Sequence, residues 1–121
     1  MLPQGLPHRA RIHLRRDFEN IISQSEKYQN SGLTLWCRKT QSTGPARLAV
    51  VVSKKLGPAV VRNRTKRLIR EAFRTNRVHL KTGADLIVKP RSSERLATVQ
   101  ATQQAFMSLC KKADLLQELP N

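Results

Sequence analysis

Val52-Ser-Lys-Lys-Leu-Gly-Pro-Ala-Val-Val-Arg-Asn-Arg-Thr-Lys-Arg-Leu-Ile-Arg-Glu-Ala-Phe-Arg74 decides how the rest of the chain is read. The stretch leaves an apolar run, turns at Gly57-Pro58 and continues as a strongly basic helical pattern. Gly57 is expected as the N-cap and Pro58 at the first helical position, where its missing N–H removes no helical bond. At helical periodicity Val61, Thr65, Leu68, Ile69 and Ala72 gather into one core-facing stripe. Arg62, Lys66, Arg67, Arg70, Arg74 and Arg77 occupy the opposite half, and Arg64 stands alone on the other flank of the stripe.

A helix that merely faced solvent would intersperse acids among its bases. Here Arg62, Lys66, Arg70 and Arg74 form an unbroken i,i+4 series, and Glu71 is the only acid on the helix. Like-charge pairs at that spacing destabilise an isolated helix by about 0.2–0.5 kcal/mol each. Bound phosphates would cancel the repulsion, so this helix is expected to lie against a polyanion.

The composition points the same way. A chain of 121 residues is long enough for one domain with one modest core. It carries 23 Lys and Arg against 8 Asp and Glu, a net charge of +15, and a sequence pI near 11.3. Such an imbalance speaks of partners, not of fold, and nucleic acid is the leading one. An anionic membrane is the weaker candidate, since no apolar run approaches the ~20 residues of a spanning segment. The stretch Met1-Leu-Pro-Gln-Gly-Leu-Pro-His-Arg9 lacks the continuous apolar core of a secretory signal. Cys37 and Cys110 lie far apart and form no Cys-x-x-Cys pair, which argues against a disulfide framework or a zinc site. Both are expected as small buried hydrophobes in a reducing compartment, the cytoplasm.

Taken in order, residues 1–10 carry Pro3, Gly5 and Pro7 without periodicity and read as a flexible arm. Phe18, Ile21 and Ile22 fall at i, i+3 and i+4, which predicts a short amphipathic helix from Arg15 to about Ser25. Leu33 to Arg38 alternates as a strand, with Leu33, Leu35 and Cys37 on one face and Thr34, Trp36 and Arg38 on the other. Trp36 beside a cation is a stacking platform for unpaired bases or a cover for the edge of the core; the pattern leaves both open. After a turn at residues 41–45, Arg47 to Ser53 is nearly continuous in apolar residues, the mark of a central strand buried on both faces. The basic helix runs to about Val78, Gly83 is expected to be left-handed, and Asp85 to Lys89 forms a strand stopped by Pro90. A last helix is predicted from Ser93, its N-cap, to about Leu116, with Leu96, Val99, Gln103, Phe106 and Cys110 inside. The order of elements predicts a single α/β sandwich with helices against a small mixed sheet.

No catalytic constellation emerges from these residues. The acids, Asp17, Glu19, Glu26, Glu71, Asp85, Glu94, Asp114 and Glu118, are scattered, and no pair has a metal-site spacing. Outside the N-terminal arm only His13 and His79 could serve acid–base chemistry, and nothing ties them together. Glycine loops of the Walker or Rossmann type are absent. The residues describe a binding protein.

The run Val52-Ser-Lys-Lys-Leu-Gly, followed by Arg62-Asn63-Arg64 and Lys66-Arg-Leu-Ile-Arg-Glu-Ala-Phe-Arg74, closely resembles the signature of the bacterial ribonuclease P protein component. Arg11-Ile, Asp17-Phe18, Arg47 to Val52 and Gly83 to Val88 add similarity along most of the chain, with residues 11–116 as the domain and 117–121 as a tail. The resemblance implies an α-β-β-β-α-β-α order and a left-handed βαβ crossover through the Arg-Asn-Arg helix, a hand that spacing alone would not suggest. It also implies removal of the 5′ leader from precursor tRNA, with catalysis by a large RNA subunit that holds Mg²⁺.

Two surfaces follow from the resemblance. Arg62, Asn63, Arg64, Lys66, Arg67 and Arg70 resemble the face that docks on the RNA subunit. Phe18, Ile22 and Trp36, with Ser53 and Lys54 on a basic rim, resemble the cleft that cradles the single-stranded leader. Relatives often carry an aromatic where this chain has Ile22, so its contact there is apolar. The implied partners are the RNA subunit and precursor tRNA, with no membrane and no stable protein partner required. The alternative is a structural or chaperone-type RNA-binding protein without a role in cleavage, and a third class is a stand-alone ribonuclease using His13 or His79.

Overall fold

The computed structural model describes the backbone of residues 14–117 and the side chains of 19–117. The arm, His13, the Phe18 side chain and residues 118–121 lie outside that description. Along the chain run α1 (Leu14–Ser23), β1 (Glu26–Gln29), β2 (Leu33–Lys39), β3 (Arg47–Val50), α2 (Ala59–Asn76), β4 (Ala84–Pro90) and α3 (Val99–Lys112). Short 3-10 turns at Lys54–Leu56 and Arg77–His79 bracket α2. This is the expected α-β-β-β-α-β-α order.

The four strands form one mixed sheet in the order β1-β2-β4-β3. β2 is antiparallel to β1 and β4, and β3 is parallel to β4, so α2 is the crossover between two parallel neighbours. The run from Arg47 was expected at the centre of the sheet; it is an edge strand, and β4 has ladders on both sides. The apolar run misled because both faces of β3 are covered. Leu48 and Val50 enter the main core, while Ala49 packs on the opposite face with Ile21 and Ile87. Burial of both faces sets composition, whereas centre or edge is set by ladder partners.

The main core joins Leu33, Leu35 and Cys37 of β2, Leu86 and Val88 of β4, Ile69, Ala72 and Phe73 of α2, and Phe106, Leu109 and Cys110 of α3. Phe73 and Phe106 meet edge to face, with ring centroids 6.3 Å apart. Sheet and α2/α3 are the two main layers. α1 crosses the other face, where Ile21 is fully buried in a small cluster with Ala49 and Ile87, flanked by Ile22, Trp36 and Val51.

Several boundaries shift from those predicted. Gly57 is not the cap of α2: at φ 151° it ends the 3-10 turn, Pro58 takes the N-cap, and the Arg62 N–H donates to the Pro58 carbonyl at 3.0 Å. The backbone angle favours glycine there, and a Cβ would sit a tight 3.2 Å from Val61 Cγ1. Gly83 is left-handed as expected, at φ 78°, but it leads into β4, its N–H donating to the Gly44 carbonyl at 2.9 Å. Ser93 does not cap α3. Its cap is Thr98, whose Oγ1 accepts from the Ala101 N–H at 3.0 Å. The later start turns the helix: Thr102, Phe106, Leu109 and Cys110 face inward, while Val99 is 50% exposed and Gln103 is exposed. α3 stops at Lys112 because Asp114 adopts φ 56°, which swings Leu115 into the core and lets Leu116 bridge to Leu80.

Both cysteines are free and buried. Burial pushes the Cys37 thiol up to about 11 and the Cys110 thiol up to about 12, consistent with inert core residues.

Candidate RNA-binding surfaces

The sheet face beneath α1 is built in rows by strand register. Lys27 pairs with Trp36, and Trp36 with Ile87; Thr34 pairs with Lys89; Arg38 and Arg47 both pair with Asp85. α1 packs over the middle row through Ile21 and Ile22. What lies to each side of that row differs in chemistry.

On one side the face opens into a groove of about 640 Å³, lined by Lys27, Thr34, Trp36, Ser53, Lys55, Leu56, Lys89, Pro90 and Arg91. Trp36 is half-buried. It packs on the Ile21–Ala49–Ile87 cluster, as its reading as a cover for the edge of the core expects, and it also lines the groove. Its cation is not the one expected from the strand pattern. Lys27 Nζ, across the β1–β2 ladder, lies 5.7 Å from the ring centroid, at cation–π range. Four cations, Lys27, Lys55, Lys89 and Arg91, thus surround a single aromatic surface.

Arg38 is instead held on the far side of α1. It donates through Nε to Asp85 Oδ2 at 3.2 Å and through Nη1 to Gln24 at 3.2 Å. Arg47 grips the same carboxylate through Nε at 2.8 Å and Nη2 at 2.9 Å. Burial alone would push the Asp85 carboxyl up, but the hydrogen bonds and charges of Arg47 and Arg38 outweigh it and hold the group below its ordinary value. Asp85 is therefore a buried anion that ties β2, β3 and β4 together.

The basic helix presents the second surface. Asn63, Arg64 and Arg67 are exposed, and Arg62, Lys66 and Arg70 are half-buried. Arg62 Nε donates to the Gly57 carbonyl at 3.1 Å, and Arg64 Nη2 to the Ala97 carbonyl at 2.7 Å, so two of the three Arg-Asn-Arg residues are anchored by one edge to neighbouring loops. Glu71 is drawn to Arg74, whose hydrogen bond lowers its carboxyl below the ordinary value.

The structure brings Trp36 and Ser53 together in the groove. Ile22 packs against the same small cluster as Trp36 without lining the groove, and Lys54 is exposed on the turn while its neighbour Lys55 lines the groove. The backbone of Phe18 is in α1. Lys27, Lys55, Lys89 and Arg91 were not singled out by sequence. Lys27 and Lys89 could have been: each follows the alternation of its strand onto the Trp36 face. Among the described residues no three His, Cys, Asp or Glu side chains come together as a metal site, and no helix is long and apolar enough to cross a membrane. His79 is exposed at the end of its 3-10 turn.

An α+β core, a cationic groove that includes Trp36 and an adjoining basic helix define a small, strongly basic protein with two cationic surfaces. A sequence model of the family described as Ribonuclease P matches residues 6–114. The ribonuclease P protein component of Thermotoga sp. (strain RQ2) is 38% identical, the match covering 93% of this chain and 99% of that one. That of Brevibacillus brevis is 32% identical over 93% of this chain and 90% of the relative. Among solved structures, the RNase P protein of Staphylococcus aureus superposes with a TM-score of 0.79 at 30% identity, covering 89% of this chain and 98% of that one. The Thermotoga maritima protein, in complex with 1-(4-fluorophenyl)-2-thiourea, gives 0.76 at 33% identity, covering 84% and 97%. The chain belongs to the ribonuclease P protein component family.

Proposed function

We propose that this chain is the protein subunit of ribonuclease P, binding the catalytic RNA subunit and the 5′ leader of precursor tRNA to promote endonucleolytic release of the leader. The observation that carries this reading is the groove: one half-buried tryptophan surrounded by Lys27, Lys55, Lys89 and Arg91. A duplex hides its bases from such a floor, whereas a single strand can stack one on Trp36 while the cations meet its phosphates. Mature tRNA has lost the leader, so binding energy in the groove separates substrate from product. The Arg62–Arg70 face neutralises phosphates of the RNA subunit and supports its fold. The described residues offer no clustered ligands for Mg²⁺, so the reading assigns that ion to the RNA, together with the chemistry.

The test is cleavage of a 5′-end-labelled precursor tRNA at low Mg²⁺ by protein alone, by a bacterial ribonuclease P RNA alone, and by both. Accurate leader removal is expected only in the combined reaction. Cleavage by protein alone, abolished by His79→Ala or His13→Ala, would establish a protein-borne ribonuclease. No gain over RNA alone would leave a structural or chaperone-type RNA-binding protein.

A further inference from the structure

The turn between β3 and α2 belongs to both cationic surfaces. Ser53, Lys55 and Leu56 line the groove, and α2, which starts three residues after Leu56, carries the basic face. The turn is held by short local bonds, Leu56 N–H to the Ser53 carbonyl at 3.1 Å and Gly57 N–H to the Lys54 carbonyl at 3.3 Å. Beyond Gly57 its outer end is grasped by one side chain of the basic face. That side chain is Arg62, through Nε to the Gly57 carbonyl. Among the described residues its Nη1 and Nη2 make no hydrogen bond.

A guanidinium is a rigid planar group whose Nε edge and terminal fork can serve different acceptors at once. Arg62 uses its Nε to hold the turn and keeps the fork for a phosphate. Building on the function proposed above, we propose that Arg62 is a positioning residue that couples the RNA-subunit face to the leader groove. A phosphate of the RNA subunit seated on the fork fixes the guanidinium, and the guanidinium fixes Gly57 and the turn that forms one wall of the groove. The leader then meets a wall already in place, so the assembled enzyme holds it more tightly than the free protein does. Coupling of this kind is reciprocal: a bound leader strengthens the hold on the RNA subunit by the same factor. Lysine keeps the charge but offers a point donor on a flexible stem, which cannot grip a carbonyl and present a planar fork together.

The experiment compares wild type, Arg62→Lys and Arg95→Lys, the last a charge-preserving change at an exposed position that belongs to neither cationic surface. Two quantities are measured for each. The first is the ratio of kcat/KM for a long-leader precursor to that for a one-nucleotide leader, at saturating protein so that assembly does not enter. The second is the affinity of the free protein for a single-stranded leader oligonucleotide, followed by the fluorescence of Trp36, the only tryptophan of the chain. Arg62→Lys is expected to lower the long-leader preference on the order of fivefold, the lower end of ordinary coupling, and to lower free-protein affinity by distinctly less. Arg95→Lys is expected to change neither. A preference retained in Arg62→Lys overturns the coupling. An equal loss in free protein and holoenzyme also overturns it, since Arg62 would then be only a staple of the turn. A wild-type enzyme with no long-leader preference would overturn the reading of the groove itself, and the coupling with it.

Discussion

Along β2, Leu33, Leu35 and Cys37 enter the main core, whereas their immediate neighbours Thr34, Trp36 and Arg38 face α1, the groove and a buried carboxylate. β4 divides in the same way, Leu86 and Val88 against Asp85, Ile87 and Lys89. The face toward α2 and α3 is closed by two helices and is apolar through its centre, with Glu26 and Lys39 exposed at its rim. The face toward α1 is covered by one short helix over a single row of apolar side chains. Beyond that row the sheet must satisfy charge on one side and stay open on the other. The contrast shows how a small domain divides its sheet: one face makes the core, and the other keeps an open groove lined with cations.

The comparison can be broken first at the core. Phe73→Ala removes a fully buried ring from the junction of α2, α3 and the sheet, and should cost about 4 kcal/mol in urea denaturation. A loss no greater than that of Trp36→Ala would contradict the division between the faces.

Next comes the polar end of the other face. Asp85→Asn strips two guanidiniums of their shared anion and should cost about 3 kcal/mol. The same carboxyl gives a pH signature. Because its value is depressed in the folded state, it stabilises the protein above the ordinary aspartate value and that contribution is lost as pH falls through the folded one. Thermal melts from pH 5 downward should therefore fall less steeply for Asp85→Asn than for wild type. An equal slope would show that the triad contributes nothing to acid stability.

Trp36→Ala sharpens the contrast, since its effects should divide. The half-buried ring costs at most about 2 kcal/mol of folding stability, while a lost stacking contact weakens leader binding by ~1–3 kcal/mol. The KM for long-leader precursors should rise with assembly on the RNA subunit intact. Comparable loss of assembly would merge the two surfaces into one. The smallest effect is at the groove wall, where Lys89→Ala should make the salt dependence of leader binding shallower by about 0.7 in log–log slope, one phosphate on a single strand. An unchanged slope would remove Lys89 from the phosphate path.

The amino-acid sequence determined a great deal of this protein by itself. Helical periodicity placed Thr65, Ile69 and Ala72 in the core, and alternation separated the two faces of β2. These are properties of neighbours along the chain, where backbone geometry dictates which side chains share a face. Partners distant in sequence were beyond its reach. Only the tertiary structure put β3 at the edge, brought Asp85 between Arg38 and Arg47, set Lys27 over Trp36 and chose Lys55 over Lys54 for the groove. The start of α3 failed for the same reason: Ser93 and Thr98 are both plausible caps, and the fit of Phe106 and Leu109 against the sheet decided between them. Local pattern settles which way a side chain points; which group waits for it there depends on strand order and crossover, properties of the whole chain.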